Sequence, residues 1–377
     1  MSEGTNQKPP MRKGMGSDSE RVRKMPFLGR VLRRPELGAL SGVILIYAIF
    51  FAVARTSGMF SIAGLINILS VSAEIGILAA AATLLMIAGE FDLSIGSMIG
   101  FAGIIIGLGA TAFHLPLSLA ILCALVVCAA IGAGNGYLTV KTGLPSFIVT
   151  LASMFILRGL AISVTRYVSG YTQISKIIDT DPQSPVISLF GGQVGQGFFK
   201  WLAAHGWIDV NGNGMPVVAG LPASVLWWIG LTALATWVLL RTRFGNWIFA
   251  VGGDETAARN VGVPVNFVKI MLFMLTAVSA VLFAAIQIME VGSADTLRGT
   301  QKEFDAIIAV VIGGTLLTGG YGSAVGAFLG ALIYGTVQIG ILYTGIDSDL
   351  FKVFLGLMVL MAVLFNNFVR RRATQER

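Results

Sequence analysis

The chain has 377 residues, of which 55% are hydrophobic and 12% are charged. Soluble proteins carry about 25% charged residues, so the composition excludes a water-soluble globule and indicates a polytopic membrane protein. The net charge of +7 does not indicate nucleic-acid binding, because the basic residues lie mainly at the ends of apolar runs, as in the positive-inside pattern.

The first 36 residues are polar, with nine Lys and Arg residues against four Asp and Glu residues. No apolar core of a signal peptide is found among them. Residues 1–36 are therefore predicted to form a flexible basic cytoplasmic tail, and residues 37–369 to form the membrane domain.

Apolar runs predict the spans of this domain. The hydrocarbon core is about 30 Å thick, and crossing it takes about 20 helical residues. The predicted spans are 37–54, 75–89 after an approach segment at 60–74, two within 93–140, 144–165, 221–240, 270–289, two within 306–346, and 353–369. Residues 306–318 are short for a full crossing, so a re-entrant segment stays open there. The sequence predicts an all-α polytopic membrane protein with about ten transmembrane helices.

The basic residues also predict the orientation of the spans. Most of the 26 Lys and Arg residues lie in 1–36, 241–269 and 370–377. Cytoplasmic loops carry this excess, so both termini, with a short tail at 370–377, and residues 241–269 are predicted to be cytoplasmic. The polar residues 166–220 are then predicted to form a loop on the outer side.

Residues 241–269 form a polar segment between two uncharged runs. Loops of this length are often functional, so a docking surface and a solvated connector are both consistent with the pattern. Glu255–Asn260 is predicted as a short helix and Gly252-Gly253 as a turn. The candidate contact and shaping residues are Arg241, Arg243, Asp254, Glu255, Arg259, Gly245, Gly252, Gly253 and Gly262.

Residues 88–97 read A-G-E-F-D-L-S-I-G-S. This run resembles the signature of the bacterial sugar-type ABC importer permeases, the ribose, xylose and simple-sugar class. Stretches within 143–160, 244–259 and 304–323 also resemble that family's patterns, and the similarity covers residues 40–368 in the same order. The signature positions in this chain are Glu90, Asp92, Ser94, Gly96 and Ser97. At one of them the chain departs from the family, because Glu90 stands where the family more often has glycine.

The resemblance implies a permease of the bacterial inner membrane that imports a monosaccharide by alternating access, driven by ATP. It implies three partners: a cytoplasmic ABC ATPase subunit with two nucleotide sites, a periplasmic sugar-binding protein and a second permease copy. Residues 166–220 would face the periplasm and receive the binding protein. Residues 171–220 are longer than the family's usual outer loop.

The sequence has no G-x-x-x-x-G-K-[ST] phosphate loop, so we expect another subunit to hydrolyse ATP, in contact with residues 241–269. No Ser/His/Asp set or carboxylate pair indicates an active site, and the chain is not predicted to be an enzyme or to need a cofactor. An ion-gradient-driven secondary transporter of a small polar solute is the alternative, and a structural membrane subunit is a third.

Glu90 and Asp92 are predicted to lie at the inner end of the second and third spans. Asp92 is placed to cap the third helix, or to take part in gating. A further hypothesis is that these carboxylates meet basic groups of the ATPase or of residues 241–269.

Arg158 lies within a predicted span, where a charge is costly. It is placed in the outer part of the membrane, where it can snorkel to the interface, form a structural ion pair with Glu74, or contact substrate.

A sugar path needs uncharged polar groups, which can equally form hydrogen bonds between helices. The candidates within the spans are Asn135, Gln287, Thr315, Tyr334 and Gln338. Gly96, Gly100, Gly103 and Gly107 share one helix face and predict a close helix contact.

No metal site is predicted. Cys123 and Cys128 lie on different helix faces and have no partner cysteine elsewhere. Residues 209–214 begin like a calcium loop, but Gly220 stands where the bidentate Glu is needed. His114 and His205 are isolated.

Overall fold

The computed structural model describes residues 35–212 and 214–375. All but the last two residues of the predicted basic tail 1–36 therefore lie outside the described residues. The first helices are α1 (Pro35–Ala54), α2 (Ile62–Ile87), α3 (Ile95–Thr111), α4 (Leu117–Thr142) and α5 (Ser146–Ser169). Residues 112–116 separate α3 from α4, and the division of 93–140 into two helices is confirmed.

A segment of short elements follows, residues 170–222. It contains β1 (Gln173–Ile174), a 3-10 turn (Ile178–Thr180), α6 (Pro185–Gly191), β2 (Gln193–Val194), α7 (Gln196–Ala204) and β3 (Leu221–Pro222). The remaining elements are α8 (Ala223–Arg241), α9 (Arg243–Gly253), α10 (Glu255–Asn260), α11 (Val265–Val291), β4 (Ala294–Asp295), α12 (Lys302–Ile312), α13 (Ala324–Thr344), a 3-10 turn (Ser348–Leu350) and α14 (Phe351–Gln375). The last helix therefore continues through residues 370–375, which had been predicted as a tail.

The described chain is mainly helical, as predicted, and seven of its helices are long and apolar enough to cross a membrane. The helix α3 and the part of α14 over Phe351–Leu364 are apolar but shorter. The helix α12 has 11 residues and reaches only about 16 Å at 1.5 Å per residue. Seven described helices thus have spanning length, so the predicted count of about ten is not confirmed, and α12 is too short to cross the membrane by itself.

The prediction of separate segments at 60–74 and 75–89 is wrong, because both belong to the 26-residue helix α2. Ser61 begins the helix by accepting a hydrogen bond from the Gly64 amide at 3.1 Å, as an N-cap residue does. Glu74 consequently lies near the middle of α2 and not near one end. Buried residues make up 78% of the apolar window of α2 against 17% in α1, so α2 belongs to the core and α1 to its periphery.

Residues 170–222 lie at one end of the helices. Phe199, Leu202 and Ile208 pack against Ile62 and Ile66 at the start of α2. The other end of α2 meets α9, as described below. The two ends of the molecule are called the 170–222 end and the 241–269 end.

The glycine face of α3 packs against a non-helical strap, residues 292–301, and not mainly against another helix. A Cβ atom on Gly100 would lie 2.8 Å from the Thr296 carbonyl oxygen, so a larger residue would push the strap away. The strap is also tied to the 170–222 end. There β1 pairs with β4, Gln173 opposite Asp295, and the Ile177 amide donates to the Gly292 carbonyl at 3.1 Å.

Candidate functional site

The segment 241–269 is helical over most of its length, contrary to the predicted loop. Thr242 caps α9 through the Gly245 amide at 3.1 Å, and Asp254 caps α10 through the Ala257 amide at 2.9 Å. The short helix predicted at Glu255–Asn260 is confirmed. Asp254 has a structural role at this cap, because its carboxylate accepts one of the helix's free N–H groups.

The predicted glycines of this segment have different roles. Gly245 packs against the backbone of Val238 and Leu239 at the joint between α8 and α9. Gly262 has a φ of +86°, which favours glycine. Gly253 has open space around its Cβ position. Arg241 and Arg243 are exposed, and neither is in an ion pair among the described residues.

Gly252-Gly253 is not the predicted turn, since both residues end α9. Gly252 lies where α9 packs against the end of α2 and against the turn that joins α12 to α13. The Gly320 amide donates to the Ile87 carbonyl at 2.8 Å, and a Cβ on Gly252 would lie 2.6 Å from the Gly320 nitrogen. A Cβ on Gly319 would lie 2.8 Å from the Cα of Gly89. Three backbones therefore meet at a distance that excludes side chains.

A lysine at the start of α11 connects this region to the signature run. The Lys269 ammonium lies 2.6 Å from Glu90 Oε1 and 2.7 Å from Glu255 Oε2. Arg259 lies 3.0 Å from the other oxygen of Glu255. Lys269 is only 8% exposed, so its charge depends on these partners. The hydrogen bond from Lys269 holds the pKa of Glu255 below its usual range.

The hypothesis that Glu90 meets a basic group of residues 241–269 is therefore confirmed. Lys269 itself was missing from the predicted site, because residues 241–269 were interpreted as a loop. A single lysine directly before a 20-residue uncharged run was the available signal.

Asp92 does not cap α3 in the way that was predicted. Its Oδ1 accepts hydrogen bonds from the amide and the hydroxyl of Ser94, at 2.9 and 2.5 Å. A capping side chain would instead bond N–H groups inside the helix. Its Oδ2 accepts from the Thr276 hydroxyl at 2.6 Å, and Asn135 donates to the Ser94 hydroxyl at 3.1 Å. No described basic group contacts Asp92, which is 3% exposed.

The turn that carries these carboxylates is fixed to α5 by hydroxyl groups. The Phe91 amide donates to Ser146 Oγ and the Leu93 amide to Thr150 Oγ1, both at 3.0 Å. These bonds satisfy backbone groups that have left the helix pattern. Residues 88–94, the signature turn, are therefore held by α5, by α11 through Asp92, and by Lys269 through Glu90.

The predicted ion pair between Glu74 and Arg158 is absent among the described residues. Arg158 donates to Ser97 Oγ at 3.2 Å through two nitrogens and to Thr300 Oγ1 at 2.5 Å. Glu74 accepts from Gln287 at 3.2 Å. Both charged residues lie near the middle of their helices, so Arg158 is not at the outer end of its span. It joins α5 to the signature motif and to the strap.

Glu303, at the start of α12, was also missed. It is 3% exposed, one of its carboxylate oxygens has no hydrogen-bond partner among the described residues, and it faces Gly96. Gly96 of the signature motif thus makes room for a buried carboxylate. Its sequence signal was a charged cluster, Lys302, Glu303 and Asp305, immediately before an apolar run.

The five predicted substrate-path residues have different surroundings. Asn135 belongs to the Asp92 network and Gln287 bonds Glu74, so these two join helices. Thr315 and Tyr334 are 0% and 1% exposed. Thr315 Oγ1 and Gln338 Oε1 have no hydrogen-bond partner among the described residues. None of the five lines either of two grooves on the described surface.

The chain is similar to several known permeases. The family described as the branched-chain amino acid transport system / permease component matches residues 64–363. The ribose import permease protein of Escherichia coli K12 is 33% identical, covering 86% of this chain and 92% of the relative. A probable ABC transporter permease protein of the same strain is 32% identical over 90% of this chain and 92% of its own length. The fructose import permease protein of Rhizobium meliloti is 29% identical, over 77% and 74% respectively. No solved structure matches.

Proposed function

The chain belongs to the branched-chain amino acid transport system / permease component family, and from this premise we propose that it is the membrane-spanning subunit of an ATP-driven importer for a monosaccharide. The substrate class follows from the similarity to permeases named for ribose and fructose import. A buried polar network at Asp92 and a half-buried one at Arg158 support a transport role, because such groups are costly in a membrane. The ion-gradient-driven alternative gains no support from these relatives.

We further propose the orientation and the partners. The 241–269 end faces the cytoplasm with both termini, and the 170–222 end faces the periplasm. The shorter α3 and α14 complete crossings, and the strap with the short α12 makes another, because it starts at the 170–222 end and the turn after α12 meets Ile87 at the 241–269 end. An ABC ATPase with two nucleotide sites binds α9 and α10. A periplasmic sugar-binding protein docks at the 170–222 end, and a second permease copy completes the pathway.

The observation that carries the mechanism is the position of Lys269 between Glu255 and Glu90. Glu255 is on α10, where the ATPase binds, and Glu90 is in the signature turn. A shift of α9 and α10 moves the signature turn by two routes, through the Lys269 ion pairs and through the backbone contact of Gly252 with Ile87. The turn also holds α3 and α5, so their inner ends move with it and open or close the pathway.

A capture experiment tests this proposal. The tagged chain is purified from membranes in mild detergent, beside the charge-reversed variant Glu255→Arg/Arg259→Glu and a control, Arg166→Glu, at the exposed far end of α5. We expect the intact chain and the control to capture an ATPase that carries a phosphate loop, and the charge-reversed variant to lose most of it at equal expression. Capture that is equal in all three would refute docking at α10. Capture of no ATPase by any of them would refute the importer.

A further inference from the structure

A long apolar groove runs along the outside of α8, outside the networks described above. Its walls are α8 and the beginning of α13, and its volume is about 670 Å³. It extends from Ile229 to Arg241 along α8, which is about 18 Å at 1.5 Å per residue. That distance is close to half of a hydrocarbon core of about 30 Å. The groove therefore covers the depth of one leaflet, on the side of the 241–269 end.

The lining of the groove fits a hydrocarbon chain and not a sugar. It consists mainly of apolar side chains, including Trp237, Val325 and Phe328. Thr236 also lines it, but its hydroxyl donates back to the Thr232 carbonyl of its own helix at 2.7 Å. Phe328 stacks on the buried Trp228 with ring centroids 3.9 Å apart, which gives the groove a fixed floor. A sugar hydroxyl would lose its hydrogen bonds to water here without replacement.

Arg241 closes the groove at the 241–269 end. It is exposed and pairs with no carboxylate among the described residues. A guanidinium group binds phosphate oxygens through two parallel hydrogen bonds. Basic sites between membrane helices on the cytoplasmic side bind lipid headgroups. An apolar channel one leaflet deep that ends at an unpaired arginine matches the two parts of an anionic phospholipid.

We propose that this groove is a binding site for one anionic phospholipid of the inner leaflet, with an acyl chain along α8 and the headgroup phosphate on Arg241. The assignment of the leaflet rests on the proposed orientation. A protein surface as the occupant is disfavoured, because it would have to bring a carboxylate to Arg241 at the membrane surface and a long apolar face to the rest of the groove. The site adjoins the tight joint between α8 and α9, so a bound lipid also restrains α9, where the ATPase is proposed to bind.

The test uses the full chain in detergent, with phosphatidylglycerol and phosphatidylcholine of identical acyl chains as probes. Lipid binding is measured by native mass spectrometry and by the shift in melting temperature. Arg241→Gln removes the headgroup contact, and Ala233→Trp fills the groove but keeps Arg241. Arg243→Gln is the matched control, since Arg243 is exposed two residues further on and does not line the groove.

We expect phosphatidylglycerol to bind more tightly than phosphatidylcholine, and its affinity to fall about tenfold in Arg241→Gln and in Ala233→Trp, with no change in Arg243→Gln. Equal losses in both arginine variants would overturn the site in favour of diffuse charge. An unchanged affinity of Ala233→Trp for phosphatidylglycerol would show that the acyl chain does not occupy the groove and would overturn the proposal. That result is expected if only a phosphate group contacts Arg241. Capture of the ATPase, measured on the same preparations, reports separately on the proposed function.

Discussion

Replacing Lys269 with methionine tests whether the buried ion pair connects α11 to the signature turn. The side chains of Lys269 and Glu90 are each 11% exposed, and removing one partner of such a buried pair costs about 3–5 kcal/mol. The side chain of Glu255 is 44% exposed, so its pair with Lys269 contributes at most about 1 kcal/mol. We therefore expect Lys269→Met to lower the free energy of unfolding by about 3 kcal/mol, mainly through the carboxylate left on Glu90.

Because the lost stability is attributed to the unpaired Glu90 carboxylate, a second change at Glu90 serves as the control. The double variant Glu90→Gln/Lys269→Met removes the uncompensated charge and should recover about 2 kcal/mol of the loss. Glu255→Gln should cost less than about 1 kcal/mol. The free energy of unfolding is measured for each purified variant in mixed detergent micelles with a rising fraction of a denaturing detergent. A double variant whose loss of stability equals the sum of the losses in Glu90→Gln and Lys269→Met would refute the reasoning.

Three further predictions concern the same region and the Arg158 network. The pKa of Glu255 is lowered in the folded chain, so ionised Glu255 stabilises the fold at a pH above the usual glutamate pKa. This stability is lost as the pH falls through the lowered pKa. The difference in free energy of unfolding between the wild type and Glu255→Gln should therefore vanish in acid. Gly252→Ala should destabilise the chain by about 1–3 kcal/mol through overpacking, measured by thermal unfolding, while Gly253→Ala has room for its Cβ and should not. Arg158→Met and Glu74→Gln should have additive effects on stability, within about 0.5 kcal/mol, because their side chains do not form a pair.

Each of these predictions has a result that contradicts it. A difference between wild type and Glu255→Gln that grows in acid would reverse the assigned sign of the pKa shift. Equal melting temperatures for the two glycine variants would show that the three-backbone junction is looser than described. A coupling energy above about 1 kcal/mol between the Arg158 and Glu74 variants would show that the two side chains do form an ion pair, contrary to the structure.

Much of the architecture could be predicted because apolar runs and their breaks follow directly from membrane physics. The two helices in 93–140 were predicted from such a pattern, and the short helix Glu255–Asn260 from its charges of both signs. The helix α9 was not, since its residues include a Gly-Gly pair that resembles a turn. Its Gly252 is conformationally ordinary and is required by packing, because a side chain there would meet the ends of two other segments.

The candidate site was predicted in its parts but not in its connections. Glu90, Asp92 and Arg158 were recognised as residues that need a partner, but which group meets which depends on how the helices pack. Glu74 was paired with Arg158 because the second span was thought to begin at residue 75, which placed Glu74 near a membrane surface. Lys269 was passed over for a related reason, since it lies in a helix that begins at Val265 and not at the end of a loop.

The most direct test of the central claim is the energy source of sugar uptake. The chain is reconstituted in proteoliposomes with its captured ATPase and a sugar-binding protein, and uptake of labelled ribose and fructose is measured with ATP or with an imposed ion gradient. The account predicts that one of the sugars enters only with ATP, and that Glu255→Arg/Arg259→Glu abolishes the uptake. Uptake driven by the ion gradient without ATP would contradict it.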